Sequence, residues 1–259
     1  MSAERQVPAI VLAGGSGAEA VAQAWSLPHK ALVPVAGTPA VQHVAAALRG
    51  AERVSEVVVV TQTEAVGEAC PEGVACLAPA GPHFLDTVQA GLAHFPEADR
   101  VLLATSDLAL LTPAAVDDFL AQALDSGADV CYSMVERAQL EGLPGSDSRT
   151  YVHLREGSYS GGNLALVSRR FVEEHGARLR QAFAGRKSPV ALASMFGVVF
   201  IWRLWRGKLG VPDLIKRGEE ILRVPLWVVD SRYVEVCFDL DAPEQVAQSE
   251  QILALRQAP

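Results

Sequence analysis

The chain has 259 residues, half of them hydrophobic and one fifth charged, with a net charge of −8. That composition supplies a substantial core and excludes global disorder. The acidic balance argues against nonspecific nucleic-acid binding, which needs a basic surface to displace counterions from phosphates. One domain over residues 1–259 is expected, with residues 168–222 as a helical cover inserted within it, because no repeat or low-complexity linker divides the chain. Met1 to Gln6 carries no apolar signal core, and Cys70, Cys76, Cys131 and Cys237 form no C-x-x-C pair. Buried structural thiols and a cytoplasmic location are the corresponding expectations.

In chain order, Val7 to Ala13 reads as a first strand and Pro39 to Leu48 as a helix. Glu56 to Thr61 is a β-branched run of the kind buried on both faces of a parallel sheet. His83 to His94 reads as a helix and Arg100 to Thr105 as another buried strand. Thr112-Pro113 then opens a helix, with Thr at the N-cap and Pro in the first turn. Strands separated by helical patterns predict βαβ units and a mostly parallel sheet, with ligands beyond the carboxyl ends of the strands.

The second half is less regular. Ala128 to Val135 and Thr150 to Leu154 read as strands, and Gly161-Gly162-Asn163 as a glycine bend entering a strand that runs to Val167. Residues 170–222 read as helices, Val224 to Val229 as a strand, and Val236 to Glu244 as a strand entering a final helix.

The stretch most informative about function is Ile10-Val11-Leu12-Ala13-Gly14-Gly15-Ser16-Gly17, a strand that ends in glycine. Backbone N–H groups there can approach a phosphate with no Cβ in the way. Lys30 follows, just ahead of Ala31-Leu32-Val33-Pro34-Val35, so a phosphate cradle is joined by a cation. The loop is neither G-x-G-x-x-G, since Ala20 stands at the third glycine, nor a Walker loop, since no G-K-[ST] follows. A dinucleotide oxidoreductase would also need an acid at the end of the second strand, where Thr61-Gln62-Thr63 stands.

Leu12 to Gly17 and Lys30 to Pro39 together resemble the signature of nucleotidyltransferases, and most nearly that of the molybdenum-cofactor guanylyltransferase-like (MobA-like) group. Three further segments match in the family's order: Thr105-Ser106-Asp107, Ser160-Gly161-Gly162-Asn163, and Phe238-Asp239-Leu240-Asp241-Ala242-Pro243-Glu244. The resemblance implies a three-layer αβα Rossmann-like fold with a mostly parallel mixed sheet. It also implies transfer of a nucleoside monophosphate from a triphosphate to a phosphorylated sugar, polyol or cofactor, with release of pyrophosphate. In that reading Leu12, Ala13, Gly14, Gly15, Ser16, Lys30 and Asp86 hold the nucleotide, and Gly162 and Asn163 hold the acceptor. Asp107, Asp239 and Asp241 hold Mg²⁺ or alternatively Mn²⁺, and Lys30 and Asp107 are the catalytic pair. Hard oxygen donors suit such an ion. One departure stands out: the family carries an Arg directly after the glycine loop, whereas here Ala18-Glu19-Ala20 follows Gly17. A degenerate, nucleotide-binding or regulatory protein of the same fold is the alternative this departure raises.

Plainer roles compete at several positions. Asp241-Ala242-Pro243-Glu244 fits a capping box with Asp at the N-cap. Asp239, two residues earlier on a strand, would share a face with Asp241. Asp86 fits a first helical turn, where acid complements the dipole. Tyr151 and Tyr159 fit sheet packing beside the acceptor segment. Val190 to Trp205 is apolar nearly all round but too short for a comfortable membrane span. A buried helix over the sheet is the expectation, and an interfacial helix anchored on lipid by Trp202 and Trp205, within 190–208, is the alternative.

Overall fold

The computed structural model describes residues 6–15, 20–79, 81–176 and 197–257. The strands are β1 (Val7–Ala13), β2 (Pro34–Val35), β3 (Thr38–Pro39), β4 (Val54–Thr61), β5 (Ala75–Leu77), β6 (Arg100–Thr105), β7 (Val130–Glu136), β8 (Val152–His153), β9 (Ser158–Ser168) and β10 (Leu226–Asp230). The helices are α1 (Ala20–Ala24), α2 (Ala40–Gly50), α3 (Glu64–Glu68), α4 (Phe84–His94), α5 (Pro113–Ser126), α6 (Arg137–Leu140), α7 (169–176), α8 (Val198–Trp205), α9 (Val211–Leu222) and α10 (Pro243–Gln257).

The main sheet runs β10-β7-β9-β6-β1-β4-β5, with β8 paired to β9. β1 is parallel to β4 and β6, β4 to β5, and β7 to β10, while β9 runs antiparallel to β6, β7 and β8. Period-2 alternation sorts the apolar runs onto two faces. Val11, Val59, Leu102 and Ala104 meet α2 and α5, whereas Ile10, Val58, Val60, Val101 and Leu103 meet α4 and Phe171 and Val172 of α7. The result is the expected three-layer α/β architecture, and the caps agree: the Thr112 hydroxyl accepts from Ala115 N–H at 3.2 Å at the start of α5.

The chain leaves β1 toward β4 on one side and returns as β6 on the other. The crevice at their carboxyl ends is therefore a topological switch point, where ligands of open α/β sheets bind. Gly14 and Asp107 stand on either side of it, just past the ends of β1 and β6.

Several expectations are corrected. Gly161 and Gly162 make no bend but lie inside β9, where Met134 pairs with Gly161. A Cβ on Gly162 would sit 2.1 Å from Ser133 Oγ, so close strand packing explains that glycine. Val234–Cys237 is a turn of 3₁₀ helix rather than a strand. At the start of α10, Gln245 Oε1 accepts from the N–H groups of Asp241 and Ala242 at 2.6 and 2.7 Å, and Pro243 opens the helix. Cys131 and Cys237 are buried, but Cys76 is exposed. Residues 177–196 of the expected helical cover lie outside the described residues. The described end of the apolar segment, α8, has no buried residue. Both sheet faces are covered by α2, α5, α4 and α7, and Phe200 and Leu204 pack beside a small cluster of Met134, Leu154, Tyr159 and Leu209. Among the described residues no helix is long and apolar enough to cross a membrane.

Candidate active site

Lys30 opens a one-turn 3₁₀ helix, Lys30–Leu32, whose entry is fixed by buried His29: its Nδ1 accepts from Ala31 N–H at 3.0 Å. This turn carries the lysine across to the strand ends. Lys30 Nζ lies 2.6 Å from Asp107 Oδ2 and 2.7 Å from Asp241 Oδ1, so one ammonium joins the β6 rim to the segment before α10. Asp107 is 2% exposed and Lys30 20%, whereas Asp241 faces solvent at 61%. Burial by itself would lower the Lys30 pKa, but the charges and hydrogen bonds of Asp107 and Asp241 outweigh it and hold the ammonium above its ordinary value.

Asp239 completes the group. Ligand oxygens of Asp107, Asp239 and Asp241 all lie within 4.8 Å of one another. Burial first, then the charges of Asp107 and Asp241, push the Asp239 carboxyl up to about 6. The 3₁₀ turn and its exit, rather than strand alternation, bring Asp239 and Asp241 to one place.

Arg149 is the residue that sequence reasoning missed. Its side chain, 8% exposed, has Nη1 3.7 Å from Asp239 Oδ1. The same guanidinium donates to Cys237 O and stacks on the Phe238 ring, 4.2 Å from the centroid. It opposes the upward push on Asp239. A single Arg in the turn-rich segment before β8 carries no local signal, since only folding brings it 90 positions along to Asp239. Tyr132 was missed for the same reason; its hydroxyl donates to Gly162 O.

The other expected site residues fall on the same rim to different degrees. Leu12 pairs with Val60 and Thr105, and Ala13 with Thr61, which places Gly14 and Gly15 at the crevice. A Cβ on Gly14 would meet Thr87 Oγ1 of α4 at 2.6 Å, so this glycine also permits close helix packing. Ser16 lies outside the described residues. Asn163 precedes Leu164, the partner of Ala104, and so sits level with the end of β6. Asp86 accepts from His83 N–H at 3.0 Å and closes the capping box of α4.

A family model for the MobA-like NTP transferase domain matches residues 9–194. The chain belongs to that family and is a nucleotidyltransferase of Rossmann-like fold. A solved transferase from Thermus thermophilus, titled hypothetical, is 33% identical over 93% of this chain and 99% of its own, with a TM-score of 0.80. A CMP:2-keto-3-deoxy-manno-octonic acid synthetase solved with CTP is 15% identical, with a TM-score of 0.63 over 97% of this chain and 99% of its own. A nucleotidyl transferase from Methanothermobacter thermautotrophicus, also 15% identical, has a TM-score of 0.56 over the same shares. Among curated proteins none matches the chain.

Proposed function

We propose that the protein transfers a nucleoside monophosphate from a nucleoside triphosphate to a phosphorylated small-molecule acceptor, with release of pyrophosphate. The observation carrying this reading is the contact of Lys30 with Asp107 at the crevice beside the glycine loop. An acceptor phosphate oxygen attacks the α-phosphorus. The bond to the β-phosphate oxygen breaks, and its electron pair leaves with pyrophosphate. Both reactants are anionic, so positioning and charge neutralisation supply the acceleration, and no covalent enzyme intermediate is needed.

The residues fit a divalent cation. Asp107 Oδ1 is buried with no hydrogen-bond partner, and Asp239 stands among like charges that an added cation would offset. Asp107, Asp239 and Asp241 would hold Mg²⁺ or Mn²⁺, which when bound supplies charge stabilisation at the phosphates. Lys30 adds a point charge beside them. Backbone amides of Gly14 and Gly15, next to Leu12 and Ala13, face the phosphates, Asp86 stands at the start of α4 on the nucleotide side, and Gly162 and Asn163 face the acceptor. Lys30 takes over the neutralising role that the family's loop Arg has elsewhere.

The test is pyrophosphate release with a panel of triphosphates, phosphorylated acceptors and Mg²⁺, comparing the parent with Asp107→Asn. Loss of turnover with the melting transition retained supports the assignment, and undiminished turnover refutes it. Saturable nucleotide binding without product from any acceptor would favour the non-catalytic alternative that Ala18-Glu19-Ala20 raises. Thermal shifts with each triphosphate identify the base by mass action.

A further inference from the structure

Helix α8 presents an apolar stripe to solvent. Val198, Trp202 and Trp205 follow i, i+4, i+7 spacing and are 72%, 47% and 82% exposed, and Val199 beside them is 71% exposed. The inner side is spent on Phe200 and Leu204, which pack against Met134, Leu154, Tyr159 and Leu209. An outward apolar stripe on a helix that already has an inner one is a docking surface, since a solvated helix carries polar groups there.

The charges around the stripe say what it docks on. Arg203, Arg206 and Lys208 are exposed on or just after α8, and Asp213 is the neighbouring carboxylate on which the charge of Arg203 acts. Arg206 and Lys208 lie over the Trp202 ring, 4.7 and 5.8 Å from its centroid, so cation and indole sit at one level. From Val198 to Lys208 the chain carries three basic residues and no acidic one, although the whole protein has a charge of −8; further on, Arg217 is paired with Glu220 at 2.8 Å. Asp213 is itself held by Arg155 at 3.0 Å. A basic island with tryptophans, on a convex helix of an acidic protein, matches an anionic interface where indole rings rest at headgroup depth.

We propose that α8 lies flat on an anionic phospholipid surface, with Trp202, Trp205, Val198 and Val199 in the headgroup boundary and Arg203, Arg206 and Lys208 on lipid phosphates. The rest of the molecule, with its net negative charge, is repelled by that surface, which turns α8 toward it. This inference does not depend on the proposed reaction.

The experiment is co-sedimentation of the full chain with vesicles of phosphatidylcholine alone and of an equal mixture with phosphatidylglycerol, at low and high salt. Binding to the anionic vesicles alone, weakened by salt and accompanied by a blue shift of tryptophan emission, is expected. Arg203→Gln with Arg206→Gln should weaken it roughly 25-fold, since each cation beside an anionic bilayer contributes about fivefold. Trp205→Ser should weaken it roughly tenfold, less than full burial of a large ring would give because the ring enters only the interface. All of these side chains are exposed, so the variants keep the parent's fold. Absence of vesicle binding, equal binding to neutral vesicles, or binding unchanged in both variants overturns the proposal. So does a concentration-dependent dimer that Trp205→Ser dissociates while vesicle binding is absent, because a second copy would then be the occupant.

Discussion

Replacing Asp239 by Asn should make the metal-free protein more stable while removing its capacity to hold the cation. The Asp239 carboxyl is pushed up to about 6 from an ordinary value of 3.8, by burial and then by Asp107 and Asp241, with Arg149 already opposing the shift. The native state therefore binds more protons than the unfolded state between those values, and stability falls as pH rises through that window. The full shift corresponds to about 3 kcal/mol at neutral pH, and screening at this partly open site reduces it to roughly 2 kcal/mol. Asn carries no charge to desolvate or repel, so that penalty disappears in the variant. For a chain of this size the gain is a rise of about 4 °C in Tm. The assay is thermal unfolding in chelator at pH 7.5 and at successively lower pH. The advantage of Asp239→Asn should be full at pH 7.5, about halved at pH 5 and reduced to about a fifth at pH 4. A variant no more stable than the parent at pH 7.5, or a gain that ignores pH, would refute the like-charge account of the site. Saturating Mn²⁺ should reverse the ranking, because only the parent is stabilised by binding.

Lys30→Met should abolish turnover and lower stability by about 3 kcal/mol in urea unfolding, because it leaves Asp107 charged and buried without its cation. Adding Asp107→Asn to that variant should recover part of the loss. Gly14→Ala places a methyl group 2.6 Å from Thr87 Oγ1, so about 1–3 kcal/mol of overpacking strain is expected. Thr87→Ala in the same chain should relieve most of it, as a double-mutant cycle would record. Arg149→Met should weaken Mn²⁺ binding by calorimetry roughly tenfold, as loss of a group that supports a ligand does. It should also move the pH dependence of binding upward, because Asp239 loses its neighbouring cation. A change in stability alone, with no movement of that pH profile, would confine Arg149 to packing.

The sequence by itself determined the sheet and the position of the crevice. Apolar runs such as Val54–Thr61 and Arg100–Thr105 have few ways to be buried on both faces except as parallel strands, and Gly14 and Asp107 are marked by standing where such runs end. Caps such as Thr112 were equally legible, because a cap is a contact between near neighbours. Tertiary structure alone decided the rest. Lys30 meets Asp241 across 211 positions, and Arg149 reaches the carbonyl of Cys237 across 88. Spacing in the chain carries no record of such meetings. The local pattern at Asp241 did not show its distant partner for the same reason: its carboxylate meets Lys30, while Gln245 accepts from the N–H groups at the helix start. Hydrophobicity likewise located α8 but not its exposure. An apolar run is buried only if some face of the fold is left to receive it, and other helices already cover the two faces of this sheet.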